Sequence, residues 1–109
     1  MKDMLTERAD HVSLAKMSRF FKVMGDPTRL HILMQLMKAP LCVMHISEKV
    51  GMSQSAVSHQ LAVLREAELV RVTRKGKSLI YAISDEHVRL MLDMALLHVG
   101  HSKEVSDHE

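Results

Sequence analysis

The chain has 109 residues, 47% of them hydrophobic, with ten methionines, one tyrosine, two phenylalanines and no tryptophan, so one domain with an aliphatic, methionine-rich core is expected over 1–109, residues 1–11 and 102–109 being flexible tails. A formal net charge of +2 excludes a global polycation, so a nucleic-acid role needs charge placed locally. The single cysteine, Cys42, excludes an intrachain disulfide framework, and neither a signal peptide nor a run of roughly 18 apolar residues is present, so a soluble cytoplasmic protein with no membrane partner is expected.

Leu14, Met17, Phe20, Phe21 and Met24 recur at helical spacing and predict a first helix. "DPTRLHILMQLMKAP" predicts a second, with Asp26 as N-cap, Pro27 in the first helical position and Pro40 as the stop. Leu30, Leu33, Leu36 and Met37 form its expected buried stripe. "LCVMHISEKV" fits a short third helix closed by Gly51. Ser53 can cap a fourth, "QSAVSHQLAVLREA", whose core side is Val57, Leu61 and Leu64. "LVRVTRKGKSLIYAI" is rich in β-formers on both sides of Lys75-Gly76 and predicts a hairpin. "DEHVRLMLDMALLHVGH" predicts a final amphipathic helix, which Gly100 could end just before His101.

The third and fourth helices joined by a glycine turn, followed by a basic hairpin, make a winged helix-turn-helix pattern: mainly α, five helices and a two-stranded wing. Gln54, Ser55, Ser58 and His59 lie on the non-core side of the fourth helix near its N-terminus, where they can bond base edges or phosphates. No acid occurs from Met52 to Arg65, and Arg71, Arg74, Lys75 and Lys77 meet none before Asp85. Such a wing can neutralise phosphates. A polar helix face is also an ordinary solvated face, and winged helices also serve as protein-interaction modules. An enzyme is not expected, because no nucleophile–base pair, phosphate loop or open metal site is visible.

With these residues in view, the sequence resembles the ArsR/SmtB family of metal-sensing bacterial repressors over residues 14 to 101. "DPTRLHIL" is similar to the family's second-helix signature, "SQSAVSHQLAVLREAELV" to its recognition helix and "RKGKSLIYAI" to its wing. The resemblance implies a homodimer, joined through the first and last helices, that binds double-stranded operator DNA when metal-free and leaves it on binding metal. It implies DNA contacts from Gln54, Ser55, Ser58, His59, Arg74, Lys75 and Lys77. The family's Cys-Val-Cys thiolate site is not matched, since Met44 stands in "LCVMHI" where the second cysteine would be. Cys42 is expected to be a small buried apolar residue, with a site from His11, Cys42 and His45 as the minor alternative. The remaining pattern, Asp85, His87, His98 and His101, resembles the metal site of the zinc and cobalt sensors that bind on the C-terminal helix.

The spacing of these four has its own geometric reading. His87 and His98 are eleven residues apart, which on a helix puts them within roughly 20° of one face but about 16 Å apart along the axis. Metal–ligand bonds of about 2 Å cannot close that gap within one helix. An antiparallel partner can, which gives two equivalent interfacial sites per dimer, each with Asp85 and His87 of one chain and His98 and His101 of the other. Imidazoles and a carboxylate without thiolate suit Zn(II) or Co(II). Taken singly, Asp85 is equally a helix N-cap, and the two later histidines are equally residues favoured at a helix C-terminus. The alternatives are a nickel or cobalt sensor that recruits the tail His108, a metal-independent winged-helix regulator, and a metal buffer or interaction module that never binds DNA.

Overall fold

The computed structural model describes residues 13–107, with side chains through Gly100. The described residues form α1 (Leu14–Gly25), α2 (Pro27–Lys38), β1 (Leu41–Cys42), α3 (Val43–Val50), α4 (Gln54–Glu66), β2 (Val70–Lys75), β3 (Ser78–Ile83) and α5 (Glu86–Asp107). This is the winged helix-turn-helix expected from the sequence, five helices with a small antiparallel hairpin.

The helix starts are fixed by short polar side chains that accept otherwise orphaned amide hydrogens. The Lys16 N–H donates to Ser13 Oγ at 3.3 Å, Arg29 N–H to Asp26 Oδ2 at 3.1 Å and Ala56 N–H to Ser53 Oγ at 3.2 Å. Pro27 occupies the start of α2, where its missing N–H costs nothing. At the other end Ala39 is extended, as the residue before Pro40 must be to avoid its ring.

The core is one cluster. Ile32, Leu33 and Leu36 of α2, Ile46 of α3, and Val57, Leu61 and Leu64 of α4 are fully buried, with Leu69, Val70 and Ile83 from the wing root and Val88 and Leu92 from α5 closing it. No polar side chain is buried among the described residues. In α2 the buried stripe is rotated slightly from the sequence expectation: Ile32 is fully buried, while Leu30 and Met37 are half-buried at its margin.

The sheet has a third strand. Leu41 and Cys42 pair antiparallel with Tyr81 and Ile80 of β3, so the order is β1-β3-β2 and the helix expected from residue 41 begins at Val43. The backbone groups of the two residues after Pro40 find partners on the wing's inner edge, which satisfies them as well as a helical turn would. The sheet thereby joins the reading motif to the wing.

Two expected apolar stripes are only partly covered within one chain, although Phe20 and Met24 of α1 pack against the core. Leu14 is 84% exposed, and Met17 and Phe21 of α1 are about half exposed. Along α5, Val88 and Leu92 are buried, but Leu90, Met94, Leu97 and Val99 are all more than half exposed. Gly100 does not end α5, whose backbone runs on through His101 to Asp107. Glycine costs about 1 kcal/mol in a helix interior but does not break the hydrogen-bond ladder, because it keeps its N–H.

Candidate nucleic-acid interface and metal half-site

The turn between α3 and α4 is built from backbone and one serine. Gly51 closes α3 in the left-handed region at φ 72°, and its N–H donates to the Ser47 carbonyl at 2.9 Å. The Met52 N–H reaches the same carbonyl at 3.2 Å, while Ser47 Oγ donates to the Met52 carbonyl. Ser53 then caps α4. This anchors the N-terminus of α4 and leaves Gln54, Ser55, Ser58 and His59 all exposed, with Ser55 and His59 opposite the buried Val57, Leu61 and Leu64, Ser58 on the flank, and Gln54 open because it is the first residue of the helix. No acidic residue stands in the first turn of α4, so its positive dipole end is uncompensated.

The wing turns at Gly76, φ 64°, with Lys75 facing Ser78 across the strands. Along β2, the buried Val70 and half-buried Val72 alternate with exposed Arg71 and Thr73, and Arg74, Lys75 and Lys77 are exposed at the tip. All seven sequence-derived DNA-contact candidates are therefore exposed, four on α4 and three on the wing. The sequence reading did not single out Thr73, which has the same outward side as Arg71; period-two alternation outward from Val70 would have indicated it.

Two acids stand at the junction between α4 and the wing. Glu66 ends α4, and Glu68 adopts a positive φ of 61°. Its N–H donates to the Arg65 carbonyl at 2.9 Å, and the Leu69 N–H to the Leu64 carbonyl at 2.9 Å, so this residue fills the left-handed position that usually takes glycine.

At the start of α5, Asp85 is a helix cap and a neighbour of a histidine at once. Its Oδ1 accepts the Val88 N–H at 3.0 Å and lies 3.3 Å from His87 Nδ1. The Val88 N–H holds the Asp85 carboxyl below its usual range, partial desolvation opposes this, and the nearby His87 lowers it further. Both side chains are open to solvent, His87 almost fully. They stand at the rim of a cleft shared with Lys16, Arg19 and Phe20 of α1 and with Glu66, where Arg19 Nη2 lies 3.6 Å from Glu66 Oε1.

Three turns further on, His98 is exposed on the same continuous helix. The backbone of His101 belongs to α5, and its side chain lies outside the description, as do His11 and His108 altogether. Within one chain the structure brings Asp85 and His87 together and leaves His98 about 16 Å of helix away. Among the described residues no three His, Cys, Asp or Glu side chains gather as one metal-binding group. Cys42 is half-buried rather than fully buried, with its Sγ 3.4 Å from Nδ1 of the exposed His45. Strand β1 draws it to the sheet edge, which is why it does not join the core as expected.

A family model described as "Bacterial regulatory protein, arsR family" matches residues 26–72, which span α2 through the start of the wing. Over 92 residues the chain is 44% identical to the HTH-type transcriptional regulator NmtR of Mycobacterium tuberculosis, a match that covers 84% of this chain and 77% of the relative. It is 36% identical over 93 residues to a transcriptional repressor SmtB homolog of Synechocystis, covering 85% of this chain and 63% of that protein. Among solved structures, the homodimeric winged helix-turn-helix DNA-binding domain Mb0332 of Mycobacterium bovis superposes with a TM-score of 0.74 at 26% identity, covering 100% of this chain and 94% of that one.

Proposed function

The chain belongs to the arsR family of bacterial transcriptional regulators, and from that premise we propose that it is a metal-responsive repressor, cytoplasmic and homodimeric, that binds operator DNA when metal-free and releases it on binding Zn(II) or Co(II). The observation that carries the metal reading is the split of donors along α5. Asp85 and His87 meet at its start, and His98 follows eleven residues on. One α5 cannot close that set, whereas two antiparallel copies can.

The dimer reading rests on the uncovered apolar stripes. Leu14, Met17 and Phe21 of α1 and Leu90, Met94, Leu97 and Val99 of α5 are exposed in the single chain. Burying such a side chain contributes roughly 1.5–3 kcal/mol, so together they favour association strongly. The Mycobacterium bovis domain with the same fold is homodimeric. In the dimer, Asp85 and His87 of one copy and His98 and His101 of the other would hold the ion, two sites in all. The donors fit: a carboxylate and imidazoles, with Asp85, His87 and His98 exposed and the first pair already 3.3 Å apart. When bound, the ion supplies a tie between the ends of the two α5 helices.

The chain's own residues do the rest. Gln54, Ser55, Ser58 and His59 enter a major groove on α4, and Arg74, Lys75 and Lys77 neutralise phosphates beside it. Two α4 helices must match two half-sites about 34–36 Å apart, so a fixed change in the angle between protomers weakens DNA binding. By linkage, DNA and metal lower each other's affinity by the same factor.

The test is an operator titration on protein purified without a histidine tag, with and without zinc, cobalt and nickel, repeated on His98→Ala. Zinc is expected to weaken operator binding of the natural chain and to leave His98→Ala bound. Unchanged zinc affinity and unchanged zinc-driven release in His98→Ala would overturn the assignment. Cobalt absorption in the same samples separates a four-coordinate site from a six-coordinate one that recruits His108.

A further inference from the structure

We propose that Arg29 is a positioning residue for operator reading: its guanidinium ties the end of α1 to the middle of α4 and sets the angle at which the recognition helix is held on the dimer platform. The proposal rests on the reading of the chain as a DNA-binding dimer joined through α1 and α5.

Arg29 sits in the first turn of α2 and makes two side-chain bonds to two other helices. Its Nε donates to the Val23 carbonyl at 2.8 Å, and its Nη1 donates to Gln60 Oε1 at 3.1 Å. Val23 is two residues from the end of α1, so its carbonyl is one of those that the helix itself cannot satisfy, and the negative dipole end favours a cation there. Arg29 is in turn held in place by its own N–H, which donates to the Asp26 cap. The guanidinium is half-buried, where charge-assisted bonds weaken less than at the surface.

Gln60 lies directly after His59 and directly before the buried Leu61. It therefore stands on the flank of α4, between the core side and the DNA side. Val57, Leu61 and Leu64 hold α4 against the core, but apolar contacts are non-directional and tolerate a small rotation. The fork from Arg29 is directional, since two N–H groups leave one rigid plane toward two fixed acceptors. It links the helix assigned to the dimer interface to the helix assigned to the groove. Twofold symmetry applies any angular error twice. One base pair moves a half-site by about 3.4 Å along the duplex and about 34° around it, so a small error per protomer changes which spacing fits.

The experiment uses the full-length dimer and a duplex selected by the natural chain from a randomised pool, together with the same duplex lengthened or shortened by one base pair at its centre. Binding is measured by fluorescence anisotropy. The natural chain is expected to prefer its selected spacing by at least about tenfold. Gln60→Met and Arg29→Lys are expected to reduce that ratio at least about threefold. Gln60→Glu keeps an acceptor for the guanidinium and is expected to keep the ratio, while its added negative charge weakens binding to all three duplexes alike. Mere destabilisation lowers the active fraction equally for every duplex and leaves the ratio untouched. An unchanged ratio in both Gln60→Met and Arg29→Lys overturns the proposal. A natural chain that binds no duplex, or binds only as a monomer, overturns instead the dimeric operator reading on which it stands.

Discussion

Arg89 of α5 donates through Nη1 to the carbonyl of Met37, in the last turn of α2, at 3.0 Å. The bond crosses from the helix that carries the candidate metal donors to the helix that enters the reading motif. It also satisfies one of the orphan carbonyls at the end of α2. Beside Val88 and Leu92, it is a directional contact that fixes the first turns of α5 on the body. Arg89→Ala is expected to lose about 1–2 kcal/mol of stability, measured by urea unfolding. Arg89→Lys is expected to recover part of that loss, because an ammonium can reach one carbonyl but lacks the planar fork.

Asp85 has two separable duties, capping α5 and offering a carboxylate. Asparagine caps a helix about as well as aspartate, whereas alanine costs about 1 kcal/mol. Asp85→Asn is therefore expected to keep most of the stability and to lose zinc affinity by about tenfold or more, while Asp85→Ala loses both. Isothermal titration with zinc, paired with thermal unfolding, separates the two.

The pH dependence of the same residue follows from its lowered ionisation. The Val88 N–H, with help from His87, holds the Asp85 carboxyl below its usual range in the folded chain. The unfolded state then takes up the proton first. The stabilisation is fully present above the ordinary carboxylate value, about 3.9, and fades as pH falls through the folded value. The stability difference between the natural chain and Asp85→Ala is expected to shrink on acidification below about pH 4. A gap that stayed constant in urea unfolding across that range would contradict the assignment.

Leu97 is 68% exposed in the single chain and lies on the stretch of α5 between the two donor groups. A charge at this position is costly in an apolar seam and harmless in water. Leu97→Glu is expected to give a folded monomer in sedimentation equilibrium, with unchanged helical content over α2 to α4 and greatly weakened operator binding. A dimer of undiminished affinity would show that this face is not the seam.

Lys75 stands at the tip of the wing, beside Gly76, and has no acid near it in sequence. Lys75→Ala is expected to weaken binding to specific and unrelated duplexes alike and to reduce the salt slope by about 1. Gln54→Ala, on the α4 face, is expected instead to change sequence preference with little effect on that slope. Anisotropy titrations at several salt concentrations distinguish the two behaviours.

Glu68 fills a left-handed position at φ 61° that costs a side-chain-bearing residue roughly 1–2 kcal/mol. Glu68→Gly relieves that strain, partly offset by the greater freedom of glycine when unfolded. A net gain of about 0.5–1 kcal/mol is expected in thermal unfolding.

The elements were legible because their signals are local. Asp26-Pro27 starts a helix whatever surrounds it, Gly51 ends one, and the β-formers flanking Lys75-Gly76 can turn there and nowhere nearby. Much of the DNA-facing side of α4 was legible for the same reason: Val57, Leu61 and Leu64 fix the buried side, so Ser55 and His59 fall opposite and Ser58 on the flank, whereas Gln54, seven residues before Leu61, is exposed because it is the first residue of the helix. The pairing of Leu41 and Cys42 with Tyr81 and Ile80 was not legible. Two residues carry no periodicity, and their partners are some forty positions away. Whether Gly100 ends α5 was left open by the sequence, because a propensity of about 1 kcal/mol stands against a long helical context, and the context prevailed.

Sequence alone therefore determined where α2 and α4 begin, from their capping residues, which side of α4 is buried, and that the donors of the last helix are too far apart to meet within it. The last two follow from 3.6 residues per turn and a rise of 1.5 Å, which no packing alters. The tertiary structure decided what lies across from what. It set Arg29 between Val23 and Gln60, and Arg89 against Met37. It also showed that the stripes on α1 and α5 remain partly uncovered. Such contacts depend on the directions in which distant helices cross, and those are fixed only when the whole core packs at once.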